Sequence, residues 1–282
     1  MRKSERGFLL RSASSAIAAV AAFAAWTTLA VAADPSQVKI TYLYDNTEAV
    51  AGTYSSWGFA ALVEAHGRRV LFDTGTGAAV LESNAAKLGA DLSRLDALVL
   101  SHEHFDHTGG IAALGRREGL PVYYPASANP SADFIGALDR AGMKRIPVTE
   151  MTTILPRISV SHQMKGPMAS EIALLIDTDD GVAVVVGCAH PGPDAMLTQI
   201  KQQTGRPVSM LIGGFHLLDA NSDAISRTLA NFELQGVRYL GPTHCTGSAA
   251  IGAMRKSWGD RFVEGGVGTV VQLAPFTRTT VR

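Results

Sequence analysis

The sequence predicts an α/β fold of mixed β-sheets covered by helices. Two observations lead there. Short β-branched and leucine-rich runs alternate with stretches of helical period along most of the chain, and several neighbouring runs are joined by tight turns. Hairpins make antiparallel pairs, whereas strands separated by a helix pair in parallel, so both kinds together imply mixed sheets. No short-period repeat is visible.

The elements follow in order. Residues 38–44 read as a strand, and 45–58, rich in Gly, Ser, Thr and aromatics, as a long functional loop. Runs 59–65 and 69–72 form a hairpin turned at His66-Gly67, with His66 read as a solvated turn residue. A helix over 78–88 ends at Gly89, and the apolar run 95–100 is a buried strand that delivers a polar loop, followed by a helix over 111–117. A strand at 122–124, a helix at 131–141 and extended runs at 146–148 and 152–160 complete the first half. After a Gly-Pro and methionine-containing loop at 161–170, strands 172–176 and 182–186 turn at Asp179-Asp180-Gly181. Helix 194–203, strand 208–212, helix 222–234, strand 237–240 and helix 248–256 follow.

Composition bounds the function. The chain has 282 residues, 46% hydrophobic, with 28 glycines, enough for a full-size core and too apolar for disorder. Residues 1–33 join a basic start to an apolar run at 16–29 and small residues at 30–33, the layout of a secretory signal peptide. The mature protein would then be a single domain over 34–282, exported and periplasmic, with no stable membrane insertion after cleavage. Glu5 stands where a twin-arginine signal needs arginine, which favours the general secretion route. Beyond residue 33 there are 21 basic and 24 acidic residues, which argues against a nucleic-acid partner. Oligomeric state is not encoded legibly.

The chemistry is concentrated in Ser101-His102-Glu103-His104-Phe105-Asp106-His107-Thr108-Gly109-Gly110, where three imidazoles and a carboxylate fall within six residues at the carboxyl end of a strand. Neutral imidazole and carboxylate are ligands for Zn²⁺ and, less selectively, for Fe, Mn, Co or Ni. In a tight loop His102 and His104 can face one way and Asp106 and His107 another, so one loop can serve two metals. His190, His216 and His244 each follow an apolar strand, and side chains at adjacent strand ends converge on one rim. His190 and His244 are read as ligands; His216 is a ligand or a hydrogen-bonding group for substrate. Cys188 and Cys245 are too few for a disulfide scaffold, leaving packing, one disulfide or metal contact open.

The H-x-H-x-D-H loop, with Leu71-Phe72-Asp73-Thr74-Gly75 upstream, resembles the metallo-β-lactamase superfamily of metal-dependent hydrolases. Asp45-Asn46, Trp57-Gly58-Phe59, Asn84-Ala85, 187–192, 213–217 and 243–247 resemble the branch that includes dihydropterin-linked (ribofuranosylaminobenzene 5'-phosphate) synthases. The resemblance implies a four-layer αββα sandwich of two mixed β-sheets with outer helices. It also implies two divalent metal ions, foremost zinc, held by His102, His104, Asp106, His107, His190 and His244. A metal-bound hydroxide would cleave an ester, lactone, lactam or phosphoester of a small organic substrate, with Asp106, His107 and His216 as catalytic residues. Asp73 would orient a ligand histidine from behind, unless it is a plain turn residue. Cys188 stands where relatives carry a metal-bridging Asp, and the usual ligand histidine upstream lacks a counterpart within 165–171; Cys188 is expected to pack behind the ligands while His190 supplies the coordination. Tyr54, Trp57, Phe59, Phe105 and Phe215, with Met164 and Met168, are expected to line the pocket. A pterin-linked synthase or transferase and a non-catalytic exported metal-binding protein are the alternative functions.

Overall fold

A computed structural model describes residues 38–126, 130–273 and 280–281; the expected signal peptide lies outside them. In chain order the elements are β1 Val38–Tyr44, β2 Ala60–Ala65, β3 Arg68–Phe72, α1 Ala78–Lys87, β4 Ala97–Val99, α2 Phe105–Thr108, β5 Pro121–Pro125, α3 Ala132–Arg140, β6 Lys144–Val148, β7 Thr152–Leu155, β8 Ile158–Val160, β9 Met164–Lys165 and β10 Ser170–Glu171. Then come β11 Leu174–Thr178, β12 Gly181–Val186, α4 Pro193–Thr204, β13 Val208–Gly214, α5 Ser222–Leu234, β14 Tyr239–Thr243, α6 Ser248–Trp258, β15 Val270–Leu273 and β16 Thr280–Val281.

Eight strands form one sheet in the order β16-β15-β1-β2-β3-β4-β5-β6, and six form the other in the order β14-β13-β12-β11-β8-β7. Both are mixed, because the hairpins pair antiparallel while β3 to β6 and β12 to β14 run parallel. Ile40, Val63, Val70, Val99, Leu174, Val185 and Ile212 pack between the sheets. Leu71, Leu81, Leu98, Ile111 and Leu138 bury the outer face of the first sheet under α1 and α3, and Val184, Leu197, Leu211, Phe232 and Met254 bury that of the second under α4, α5 and α6. The result is the αββα sandwich expected. Among the described residues no helix is long and apolar enough to cross a membrane.

Four local expectations change. The helix expected over 111–117 is a 3-10 turn at Ile111–Leu114, because Gly110 already donates to the Gly75 carbonyl and Gly115 turns left-handed at φ 60°. The strand expected at 172–176 starts later, at Leu174, because Ile172 donates its N–H to Ser101 and Glu171 pairs with Met164 in a short ribbon. The strand expected at 237–240 instead runs to Thr243 through Pro242, tolerated because β14 is an edge strand. His66 is more than a solvated turn residue, since its Nε2 meets the Asp177 carbonyl at 2.8 Å.

Candidate metal centre

The carboxyl ends of β4, β12, β13 and β14 supply the histidines and cysteines of the centre, and those of β1 and β3 supply carboxylates behind them. Backbone strain collects on this rim. Asp73, Ala189, His216 and His244 all take left-handed φ between 49° and 56°, a conformation that non-glycine residues keep only where the surroundings enforce it. Gly187 leaves no room for a Cβ because Ser101 and the His102 ring lie against it.

The rim holds two ligand sets. His102, His104 and His190 form the first: Nε2 of His102 is 3.1 Å from Nδ1 of His104, and Nε2 of His190 is 3.2 Å and 3.1 Å from those atoms. Asp106, His107, Cys188 and His244 form the second, with His107 Nε2 3.2 Å from Cys188 Sγ and His244 Nε2 3.1 Å from Asp106 Oδ2. The loop therefore divides between two facings, as its spacing implies. His102 Nδ1 lies 2.9 Å from Ser101 Oγ, whose own proton goes to Asp73, so a neutral His102 turns a bare Nε2 toward its neighbours. Three ring nitrogens about 3.1 Å apart match the edges of a tetrahedron around a cation with ~2.0–2.1 Å bonds, about 3.3 Å. His244 Nε2 and His190 Nδ1 are buried without a hydrogen-bond partner, and the short His244–Asp106 approach lacks hydrogen-bond geometry. These donor sets fit divalent cations.

The model of the metallo-beta-lactamase superfamily matches residues 58–209, more than half of the chain. The chain belongs to this superfamily. It is 28% identical over 244 residues to the 7,8-dihydropterin-6-methyl-4-(β-D-ribofuranosyl)-aminobenzene-5'-phosphate synthase of Methanocaldococcus jannaschii, covering 70% of this chain and 83% of that one. Among solved structures it is similar to Tm1679, a metal-dependent hydrolase of the β-lactamase superfamily, with TM-score 0.71, 27% identity and coverage of 84% and 98%. The fold is also that of the metallo-β-lactamase fold protein YhfI from Bacillus subtilis, with TM-score 0.59, 17% identity and coverage of 83% and 98%.

Around this superfamily centre the supporting bonds are explicit. Asp73, fully buried, accepts from Ser101 N, Ser101 Oγ and His107 Nδ1, each at 2.7 Å, and so braces His107 directly and His102 through Ser101. Asn46 Oδ1 meets His244 Nδ1 at 3.1 Å, and Asp45 accepts from the backbone N–H groups of His244 and Gly266. Trp57 donates Nε1 to Asp106 Oδ2 at 2.9 Å and lays its ring against His244.

Glu171 is the residue that sequence reasoning missed. Fully buried, it accepts the N–H groups of Gly187, Cys188 and Ala189 on Oε1 and that of His190 on Oε2, all within 3.1 Å, and thus builds the strand end that presents Cys188 and His190. An acid at the head of an apolar run, Glu171-Ile172-Ala173-Leu174, was the one signal, and it does not name the partners.

Three further readings are corrected. Cys188 does not sit behind the ligands; its sulfur is one of the four donor atoms of the second set. Phe59 is buried against Tyr42 and Phe72, and Phe215 points into the core against Phe232 while the next residue, His216, is exposed at the rim. Met164 is likewise core. Tyr54, Trp57, Phe105 and Met168 are exposed, Phe105 by 69%. His216 is exposed and outside both sets, its ring 4.7 Å from that of His190.

Electrostatics sort the donors. Burial, then the charges of neighbouring histidines, pushes His102 well below the usual imidazole range and His190 down to about 3, so both are neutral ligands at pH 7. Burial opposes a charge on His107, yet Asp73 and then Asp106 and Glu171 outweigh it and lift His107 to about 9. Burial raises Asp106, but the close approach of His244 Nε2 and the charges of His107 and His244 outweigh it and hold Asp106 well below the usual carboxylate range. Burial lifts Glu171 to about 7 against the pull of its backbone donors.

Proposed function

We propose that residues 1–33 direct export to the periplasm and that 34–282 is one metal-dependent hydrolase domain, binding two divalent ions, foremost zinc, and cleaving an ester, lactone, lactam or phosphoester of a small organic substrate. The observation that carries this reading is the pair of ligand sets, His102, His104, His190 and Asp106, His107, Cys188, His244, opening onto one rim. Cations in such sets supply an acidified water at neutral pH and polarise the oxygen under attack. The protein's own groups then have separate tasks. Asp106, kept ionised, accepts a proton from the attacking water and returns it to the leaving group, while Trp57 donates to its Oδ2 and holds the carboxylate in place. His107, braced by Asp73, cannot turn away from the centre. His216, exposed at the rim, donates to the oxygen of the bound substrate.

Beside the metal loop lies an open cleft of about 500 Å³, with Phe105, Ile111 and Phe134 as apolar walls and Glu103, Asp133 and Arg140 as charged ones. Two acids against one arginine suit a small organic molecule better than a polyanion. No macromolecular partner is part of this reading. The 28% identity to the dihydropterin-linked synthase favours a second one, a transferase that joins two substrates at the same centre.

The test is a panel of esters, lactones, β-lactams and phosphoesters on metal-loaded protein beginning near Asp34. Hydrolysis of at least one class, abolished by chelation and by Asp106→Asn, is the expected result. Metal bound without turnover of any class would overturn the hydrolase reading, and product only with a second substrate would replace it with the transferase.

A further inference from the structure

A third group of donors overlaps the second set at Cys188 and leaves His216 and Cys245 unused by either set. β12, β13 and β14 are adjacent and parallel, and the residues just beyond their carboxyl ends are Cys188, His216 and Cys245. One donor atom from each lies within 4.8 Å of the other two. The frame around them is rigid: Gly214 donates to the Gly187 carbonyl at 3.0 Å, and Phe215 to Thr246 Oγ1 at 3.0 Å, which ties the three turns together. Room for the second thiol is specific, since a Cβ at position 214 would lie 2.5 Å from Cys245 Sγ. Both thiols are free and buried, while His216 is exposed and gives the group its opening to solvent.

We propose that Cys188, Cys245 and His216 form a further cation site, for thiophilic ions, sharing Cys188 with the set of Asp106, His107 and His244. Two thiolates and one imidazole are a soft donor set, which prefers Zn²⁺, Cd²⁺ or Cu⁺ over Mg²⁺, Ca²⁺ or Mn²⁺. Binding releases one proton from each thiol to solvent and leaves the sulfurs unoxidised. Cys188 belongs also to the set of Asp106, His107 and His244, so the two positions would share that donor. His216, bound here, is drawn away from the substrate, and filling this site slows whatever reaction the rim performs. The site itself stands whether or not the chain is a hydrolase, because its evidence is the placement of three side chains.

The experiment uses protein stripped by chelation and titrated with cadmium alone, followed by the ultraviolet cadmium–thiolate band and by elemental analysis. Wild type is expected to bind one more ion per chain than Cys245→Ser, and the variant to lose about half of the thiolate band while keeping the remaining ions. His216→Ala should weaken the extra ion at least tenfold and leave the band intensity at saturation unchanged. Equal cadmium content and an equal band in wild type and Cys245→Ser would overturn the proposal. So would a disulfide between Cys188 and Cys245 in metal-free protein purified without oxidant, found by thiol counting under denaturing conditions.

Discussion

Asp73 shows how much one carboxylate does here, since it fixes His107 directly and His102 through Ser101. Asp73→Asn keeps the shape but offers an N–H where an acceptor is needed, so metal affinity should fall about 10–100-fold, as read by competition with a chromophoric chelator. Unchanged affinity would remove Asp73 from its orienting role. His107 carries the pH dependence. Its pKa, raised to about 9, means that the metal-free protein holds a proton there at pH 7.5, and an ion entering this set must displace it. Calorimetry in buffers of different ionisation enthalpy should detect that released proton. The same shift stabilises the metal-free fold fully below the ordinary imidazole value of about 6.5, and this contribution is lost as the pH rises through about 9. Chelated protein should therefore melt lower at pH 9.5 than an Asp73-independent baseline predicts, and a flat difference between wild type and Asp73→Asn across that window would contradict the assignment.

At the scale of elements, the turn from β12 into α4 depends on a group outside it. Glu171→Ala would strand four backbone N–H groups, and buried donors left unpaired cost about 1–3 kcal/mol each where water cannot reach them. Both ligand sets should lose metal together, because Cys188 belongs to one and His190 to the other; loss from only one set, by elemental analysis, would refute this coupling. Elements of this kind mark the limit of sequence reading. The helix ending before Gly89, the hairpin at His66-Gly67 and the division of the 101–110 loop follow from local period, turn chemistry and ligand spacing. The task of Glu171 was not legible because its partners are backbone groups of residues 187–190, which carry no side-chain signature. Phe59 and Phe215 were misplaced for a related reason: at a strand end, a one-residue step decides between core and rim. Asp45 and Asn46 stood out as a motif, but their tasks depend on contacts with residues some two hundred positions away.

For the whole molecule, the first strand closes against the last quarter of the chain. β1 pairs with β15, Tyr42 exchanges backbone hydrogen bonds with Gly268 and Thr269, and Asp45 takes the Gly266 N–H while also bonding Thr243 and His244. A chain stopped after Phe262 would leave β1 with an open edge and remove Val263, Val267 and Val271 from the core. It should accumulate in the insoluble fraction, and a soluble, cooperatively melting product would show that the closing strand is dispensable. This closure also orders events in time. On the ribosome, residues 38–46 emerge early and then wait for some two hundred more before their partners exist, so the centre cannot be assembled while synthesis is under way. A metal held by the set that includes His244 would enter a nearly finished polypeptide, and the interval before the last strand arrives keeps the nascent chain open to whatever machinery handles unfolded proteins.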